Sequence, residues 1–133
     1  MMKFETRSLE KHSDKRGYLV ELLKTKHLSN KIFGQMFFAT NKPGRTRGNH
    51  YHTRKTEWFY VIKGTAKLVL KDIENGTSKE LILSEKRSLI VKVPPKVAHG
   101  IKNIGDDEMI FIAYVDETLN KRDPDTIYEK VIE

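Results

Sequence analysis

Three histidines and one glutamate are the residues of this chain whose types and spacing could bind a metal ion. His50 and His52 are separated by one residue, Glu57 follows shortly after, and His99 lies much further along the chain. Imidazole nitrogens and a carboxylate oxygen suit zinc, iron, manganese, nickel or cobalt, with positions left open for water or substrate. The sequence therefore predicts one divalent metal ion, with zinc slightly favoured, and catalytic histidines without a metal are the alternative.

These four side chains can meet only if strands aim them at one point. His50 and His52 stand at i and i+2, so a strand directs both imidazoles to the same side. Glu57 alternates with its neighbours and shares its strand face with two apolar residues, which predicts that this face is the interior. His99 opens a later strand whose same face is partly apolar. Alternation therefore predicts that the four ligands converge inside a barrel.

Short alternating runs recur along the chain and are separated by turn residues. Asn75-Gly76 lies between two such runs and predicts a hairpin with a type I′ turn, in which both central residues have positive φ. The runs 34–40 and 109–115 are apolar on both faces, which is typical of strands that are covered on both sides or lie in an oligomer interface. Apart from one or two helical turns near Thr25 to Lys31, the pattern predicts an all-β sandwich or barrel.

Composition limits the classes of protein to which the chain could belong. A length of 133 residues predicts one domain, and the absence of cysteine excludes disulfides, thiolate metal sites and cysteine nucleophiles. No apolar run is long enough to cross a bilayer and no signal peptide is visible, so we expect a cytoplasmic protein with no membrane partner. The net charge of +7 is scattered along the chain without a nucleic-acid-binding signature, so no nucleic acid is expected.

Arginines that crowd around the histidines are the exception to this scatter. Arg45, Arg47 and Arg54 flank His50 and His52. Guanidinium groups bind phosphate oxygens in a bidentate geometry, so these arginines indicate a substrate that carries phosphate.

The spacing of these residues resembles the first motif of the cupin superfamily. Gly44, His50, His52, Glu57 and Gly64 stand at every fixed position of that motif. The resemblance implies a single jelly-roll barrel, also called a double-stranded β-helix, in which the two histidines and the glutamate are metal ligands.

The second cupin motif is matched less completely. Pro94, His99 and Asn103 fit it, whereas Ser88 and Lys96 stand where the family usually has glycine. The resemblance implies that His99 is the fourth ligand and leaves the geometry of the two turns open.

Further stretches resemble the cupins that act on nucleotide sugars. Residues 14–21 are similar to the entry strand of dTDP-4-dehydrorhamnose 3,5-epimerases. The stretches 47–53 and 124–126 are closer to the C-terminal cupin domain of bifunctional capsular-polysaccharide enzymes, which acts on UDP-linked 4-keto-6-deoxy amino sugars. The resemblance covers most of the chain and implies a metal-dependent epimerase on a dTDP- or UDP-linked 4-keto-6-deoxy sugar, in surface-polysaccharide biosynthesis.

This resemblance and the arginine cluster also imply site residues and an organisation. The domain would span 1–133, with a barrel at about 33–116, a tail at 117–133 and an N-terminal strand within 1–24 that is exchanged in a homodimer. The candidate substrate-binding residues are Arg16, Glu21, Gln35, Arg45, Arg47 and Asn49.

The general base is left open. His50 matches the base of the metal-free epimerases, but an imidazole bound to a metal is not a free base. The other candidates are Tyr60, Lys67, a water molecule and a tyrosine of the tail. Returning the proton to the same carbon would be epimerisation, and returning it to the former carbonyl carbon would be 3,4-ketoisomerisation. A metal-dependent dioxygenase and a sugar-binding cupin without catalysis are the remaining alternatives.

Overall fold

The computed structural model describes residues 2–29 and 32–133. The strands of this part of the chain are β1 Glu5–Ser8, β2 His12–Asp14, β3 Gly17–Leu19, β4 Gln35–Asn41, β5 Thr46–Tyr51, β6 Glu57–Lys63, β7 Thr65–Asp72, β8 Ser78–Ser84, β9 Leu89–Val93, β10 Val97–Asn103, β11 Met109–Val115 and β12 Ile127–Tyr128. A 3-10 helix at Thr25–His27 represents the predicted helical turns, whose end at Asn30 and Lys31 lies outside the described residues. Within these ranges, no helix has the length and apolarity needed to cross a membrane.

Two five-stranded antiparallel sheets form the barrel. The strand order is β1-β9-β6-β11-β4 in the first sheet and β12-β5-β10-β7-β8 in the second. Strands β2 and β3 pair separately as a hairpin. This double sheet confirms the predicted all-β jelly-roll architecture.

The core lies between the two sheets and follows the alternation in the sequence. Phe59 and Val61 of the first sheet pack in one cluster with Leu68, Leu70 and Ile101 of the second, and each is at most 3% exposed. Because side chains alternate across a strand, Glu57 points to the same interior as Phe59 and Val61. The inward face of β6 therefore delivers a carboxylate to the end of an otherwise apolar core.

A second apolar cluster covers the outer face of the first sheet. Trp58, Tyr60, Ile90 and Tyr114 form its buried part. Side chains from the N-terminal segment pack on it; these are Leu9, Val20, Leu22, Leu23 and Leu28. In this single chain the segment therefore covers its own barrel.

The β7–β8 hairpin has a turn different from the predicted one. Gly76 has a φ of 76°, but the φ of Asn75 is not positive, so the prediction of a two-residue type I′ turn is wrong. The loop is longer because the carboxylate of Asp72 accepts hydrogen bonds from the backbone N–H groups of Glu74 and Asn75. The hairpin itself is confirmed.

Strand β4 is an edge strand with an exposed apolar face. It pairs with β11 on one side and ends the first sheet on the other. Phe37 points inward and contacts the ring of Phe111, whereas Met36 and Phe38 are 52% and 70% exposed. The two-sided apolar pattern predicted for this strand thus leaves one apolar face uncovered in the single chain.

Candidate metal centre

Three strands bring the four candidate ligands together: the neighbours β5 and β10 of the second sheet, and β6 of the first sheet. His50 lies on β5 and His99 on β10, and the two residues are directly opposite in the antiparallel register. His52 follows β5, and Glu57 begins β6 on the facing sheet. One ligand atom from each of the four side chains lies within 4.8 Å of the others.

Backbone carbonyl groups determine which nitrogen of two imidazoles faces the cluster. His52 Nδ1 lies 2.6 Å from the carbonyl oxygen of Asp125, and His99 Nδ1 lies 3.1 Å from that of Val97. A carbonyl oxygen can only accept a hydrogen bond, so Nδ1 is the protonated nitrogen in both rings. In the neutral rings Nε2 therefore carries the lone pair that a metal ion requires.

The atoms that face one another at the centre are mostly acceptors. Glu57 Oε1 lies 3.1 Å from His52 Nε2 and 3.3 Å from His99 Nε2. Despite that distance, the fully buried His99 Nε2 makes no hydrogen bond of acceptable geometry with any described residue. A carboxylate and two imidazole lone pairs repel one another unless a proton or a cation lies between them. The donor set therefore fits a divalent cation.

The pKa values show which forms these side chains take. Burial, helped by neighbouring His99, lowers the pKa of His50 to about 4, so this ring is neutral near pH 7. Burial raises the pKa of Glu57, but the close imidazoles of His52 and His99 outweigh it and lower the pKa to about 2. Burial lowers the pKa of His52, but the Glu57 hydrogen bond outweighs it and the net shift is upward. His50 and Glu57 thus take the forms that bind metal ions, whereas the proton that His52 shares with Glu57 is one that a bound metal ion would displace.

A cavity of about 560 Å³ opens onto the ligands. Part of its wall consists of three phenylalanine rings, namely Phe37, Phe59 and Phe111, and another part contains His50, Glu57 and His99. Arg47 also lines this cavity, and its Nε donates hydrogen bonds of 3.1 Å to the carbonyl oxygen of Thr40 and to Asn41 Oδ1. The cavity thus offers an apolar wall, a candidate metal centre and an anchored guanidinium group.

A second, smaller cavity of about 180 Å³ borders three of the four ligands. Gln35, Lys55 and Glu117 line it together with His50, His52 and Glu57. The side-chain oxygen of Gln35 accepts a hydrogen bond from the backbone N–H of Leu119. Of the six predicted substrate-binding residues, Arg47 and Gln35 therefore lie beside the candidate metal centre.

The two other predicted acid–base side chains do not reach these cavities within the chain. Tyr60 lies on the outer face of β6, and its hydroxyl group is 3.0 Å from Ser88 Oγ. Lys67 lies on the outer face of β7, next in sequence to the fully buried Leu68, with its Nζ 3.8 Å from Glu80. The physical reason is that successive side chains of a strand point to opposite faces. Tyr60 follows the core residue Phe59 and Lys67 precedes the core residue Leu68, so both point away from the core.

Four predicted substrate-binding residues lie elsewhere in the chain. Arg16 is exposed in the β2–β3 turn and pairs with Asp14 at 2.6 Å, and Glu21 is exposed and 3.5 Å from Lys24 Nζ. Arg45 is exposed in the turn before β5.

Asn49, the fourth of these residues, binds the C-terminal segment of the chain. Its side-chain amide donates to the carbonyl oxygen of Ile132 and accepts from the N–H groups of Val131 and Ile132. These hydrogen bonds use its oxygen and one N–H of its NH2 group, and its role in substrate binding stays a prediction.

Asp125 is a residue beside the centre that the sequence reasoning missed. Its carbonyl oxygen receives the His52 hydrogen bond, and its side chain binds the segment that follows His52. The stretch 124–126 resembles capsular-polysaccharide enzymes, but its contact with His52 depends on a fold that joins residues 73 positions apart.

The chain is similar to a known protein family and to named proteins. The family described as polysaccharide biosynthesis C-terminal domain matches residues 12–127. The UDP-2-acetamido-2,6-beta-L-arabino-hexul-4-ose reductase of Pseudomonas aeruginosa is 41% identical over 115 residues, which are 86% of this chain and 30% of the reductase.

Solved structures of two other proteins are also similar to this chain. The capsular polysaccharide assembling protein CapF of Staphylococcus aureus is 31% identical with a TM-score of 0.73, over 92% of this chain and 34% of that chain. The chain therefore spans about a third of the length of the reductase and of CapF. The RmlC 3,5-epimerase of Legionella pneumophila was solved with dTDP-4-keto-L-rhamnose. It has a TM-score of 0.79 at 20% identity, over 90% of this chain and 69% of that chain. This similarity shows that the chain has the RmlC-like cupin fold.

Proposed function

The chain belongs to the polysaccharide biosynthesis C-terminal domain family, and on that premise we propose that it is a metal-dependent epimerase of a nucleotide-linked 4-keto-6-deoxy sugar. The observation that carries the proposal is the convergence of His50, His52, Glu57 and His99, three of which (His50, Glu57 and His99) line the larger cavity. The reductase of Pseudomonas aeruginosa is named for a UDP-linked hexulose, which supports a nucleotide sugar as substrate.

The four converging side chains would hold the ion. Their donor atoms are two Nε2 lone pairs that backbone carbonyls orient, the imidazole of His50 and the Glu57 carboxylate. Bound there, a divalent cation supplies Lewis acidity that stabilises negative charge on a carbonyl oxygen of the substrate. His50 is then a ligand rather than the base.

The other cavity residues bind and orient the substrate. Arg47 is held by two hydrogen bonds through its Nε, and its guanidinium charge suits a diphosphate. The phenylalanine rings give the cavity an apolar wall for the less polar faces of a nucleotide sugar, and they exclude water from the site of proton transfer.

Among the residues that the structure describes, the proton acceptor has few candidates. Apart from the four ligands and Arg47, the ionisable side chains that line either cavity are Lys55 and Glu117, both in the smaller one. Lys55 Nζ donates to the carbonyl oxygen of Pro124, and Glu117 pairs with Arg54. A group supplied by a partner subunit is the other source.

We also propose that the protein is a homodimer. Strand β4 lies at the edge of the first sheet and also exposes an apolar face, and an edge of this kind can pair with another chain. Arg16 and Glu21 lie on the N-terminal segment, so a dimer in which this segment reaches the neighbouring barrel would bring them to the partner's cavity.

Deuterium exchange tests the proposed reaction. The metal-loaded protein is incubated in deuterium oxide with UDP- and dTDP-linked 4-keto-6-deoxyhexoses, and the sugar is followed by NMR. We expect deuterium at carbon 3 with inverted stereochemistry, and loss of exchange after chelation or in the His50→Ala, His52→Ala double variant. A shifted carbonyl group would instead indicate ketoisomerisation. The absence of exchange with every such substrate, or oxygen consumption with iron, would contradict the epimerase.

A further inference from the structure

The turn formed by Pro124 and Asp125 packs against the segment that carries His52. The carbonyl oxygen of Asp125 accepts the hydrogen bond from His52 Nδ1 at 2.6 Å, in a buried contact. His99 has its equivalent partner two residues away on its own strand, at Val97. His52, in contrast, depends on a turn that lies 73 residues further along the chain.

The carboxylate of Asp125 holds that turn in place. One oxygen accepts from the N–H and the hydroxyl group of Thr53, at 2.8 and 2.6 Å. The other accepts from the N–H groups of Arg54 and Lys55, at 2.8 and 3.3 Å. Asp125 is 8% exposed, so these contacts replace hydration of a nearly buried charge.

Two further features stabilise the same turn. Asp125 has a φ of 49°, a left-handed conformation that aspartate and asparagine tolerate better than most residues. Lys55 is 4% exposed, and its Nζ donates to the carbonyl oxygen of Pro124 at 3.0 Å. Residues 53–55 and residues 124–125 thus bind each other through side chains from both segments.

We propose that Asp125 is a positioning residue for the metal centre. Its carboxylate holds the turn in place, and the carbonyl group of that turn accepts the hydrogen bond from His52 Nδ1–H and so fixes the tautomer of the ring. This inference rests on the proposed metal site. With the carbonyl in place, the neutral ring keeps its Nε2 lone pair toward Glu57. If the turn moves, the ring loses its acceptor at Nδ1, so that its orientation and tautomer are no longer determined.

Asp125→Asn is the main test variant. Asparagine keeps the size of the side chain and tolerates positive φ, and its amide oxygen can still accept from Thr53. Its NH2 group, however, faces the N–H donors of Arg54 and Lys55. Thr53→Val is a milder variant that removes the hydroxyl contact alone.

Asp72→Asn is the matched control. Asp72 is also a nearly buried aspartate whose carboxylate accepts from two backbone N–H groups, but those groups belong to the β7–β8 loop. It should lower stability without changing the metal centre.

Two measurements on the full chain test the positioning role. Competition with a chromophoric chelator gives the Zn²⁺ affinity, and ¹⁵N NMR of histidine-labelled, Zn²⁺-loaded protein gives the tautomer of each ring. We expect Asp125→Asn to lose about 10- to 100-fold in Zn²⁺ affinity, as for other outer-shell partners, with Thr53→Val intermediate and Asp72→Asn unchanged. The His52 signals alone should shift or broaden in Asp125→Asn.

The possible failures can be distinguished. If wild type binds Zn²⁺ but Asp125→Asn retains both its affinity and the His52 tautomer, the positioning role is refuted while the metal site stands. Equal loss of affinity in Asp125→Asn and Asp72→Asn would also refute it, because a general loss of stability would then explain both. If wild type itself binds no Zn²⁺, the proposed metal site fails.

Discussion

At the scale of single residues, the candidate centre depends on which nitrogen of each imidazole faces Glu57. The spacing of His50, His52, Glu57 and His99 was enough to predict that the four side chains converge. The hydrogen bonds that orient two of the rings could not be predicted, because their acceptors are backbone carbonyls placed by the fold. Asn49 illustrates the same limit, since its amide binds a C-terminal segment more than 80 residues away.

The pKa of His50 leads to a prediction about the metal-free protein. Burial, with His99 second, lowers this pKa from 6.5 to about 4. The unfolded chain therefore binds a proton more readily, so the stability that neutral His50 contributes is present above the unfolded value and is lost as the pH falls through the folded value. We expect the free energy of unfolding to decrease between about pH 6.5 and pH 4.

Urea denaturation of the metal-free protein at a series of pH values measures this decrease. His50→Gln should flatten the profile in that window, whereas His12→Gln, at an exposed position, should follow wild type. Identical pH profiles for wild type and His50→Gln would show that His50 does not titrate with a lowered pKa.

At the scale of strands, alternation predicted which side chains enter the barrel and which leave it. It placed Glu57 inward, and the same rule puts Tyr60 on the other face, so its candidacy as a base conflicted with the pattern. The pattern could not predict the irregularity between β5 and β10, where the register shifts between His99 and Gly100. Such a shift depends on backbone conformation, and Gly48 lies opposite it with a φ of 92°.

Gly48→Ala should therefore be more destabilising than a typical glycine substitution in a turn. A Cβ atom at Gly48 would lie 2.8 Å from the carbonyl oxygen of His99, whereas one at Gly76, which also has positive φ, would meet nothing within 4 Å. We expect Gly76→Ala to cost about 1–2 kcal/mol from the left-handed conformation alone. Gly48→Ala adds the backbone clash to that cost and should displace His99.

The free energies of unfolding of the two variants, measured by urea denaturation, give the comparison. Losses of equal size would mean that β5 and β10 separate easily at this point, which contradicts the tight approach seen in the structure.

At the scale of the whole molecule, two sheets form a cavity with His50, Glu57 and His99 on its wall. The jelly roll followed from strand spacing and from the resemblance of the histidine motif to cupins. The apolar character of the cavity could not be read from the sequence, because Phe37 and Phe111 come from different strands and meet only in the barrel. The uncovered face of β4 also appears only when the order of the strands is known.

The proposed dimer predicts that Phe38→Glu weakens self-association. Phe38 is 70% exposed on the edge strand β4, and a buried carboxylate there would lack a partner. Ile82→Glu is the control, because Ile82 is 46% exposed on β8, the edge of the other sheet. Sedimentation velocity should find a dimer for wild type and Ile82→Glu, and a monomer with unchanged circular dichroism for Phe38→Glu. A monomeric wild type would contradict the proposal.

Metal content tests the central claim most directly. Elemental analysis of protein purified without chelators and supplied with Zn²⁺ should find about one ion per chain, since the four side chains form one centre. The His50→Ala, His52→Ala double variant should fall to a small fraction of that value, and His12→Ala should retain it. An unchanged metal content in the double variant, or no bound ion in wild type, would contradict the metal centre on which the account depends.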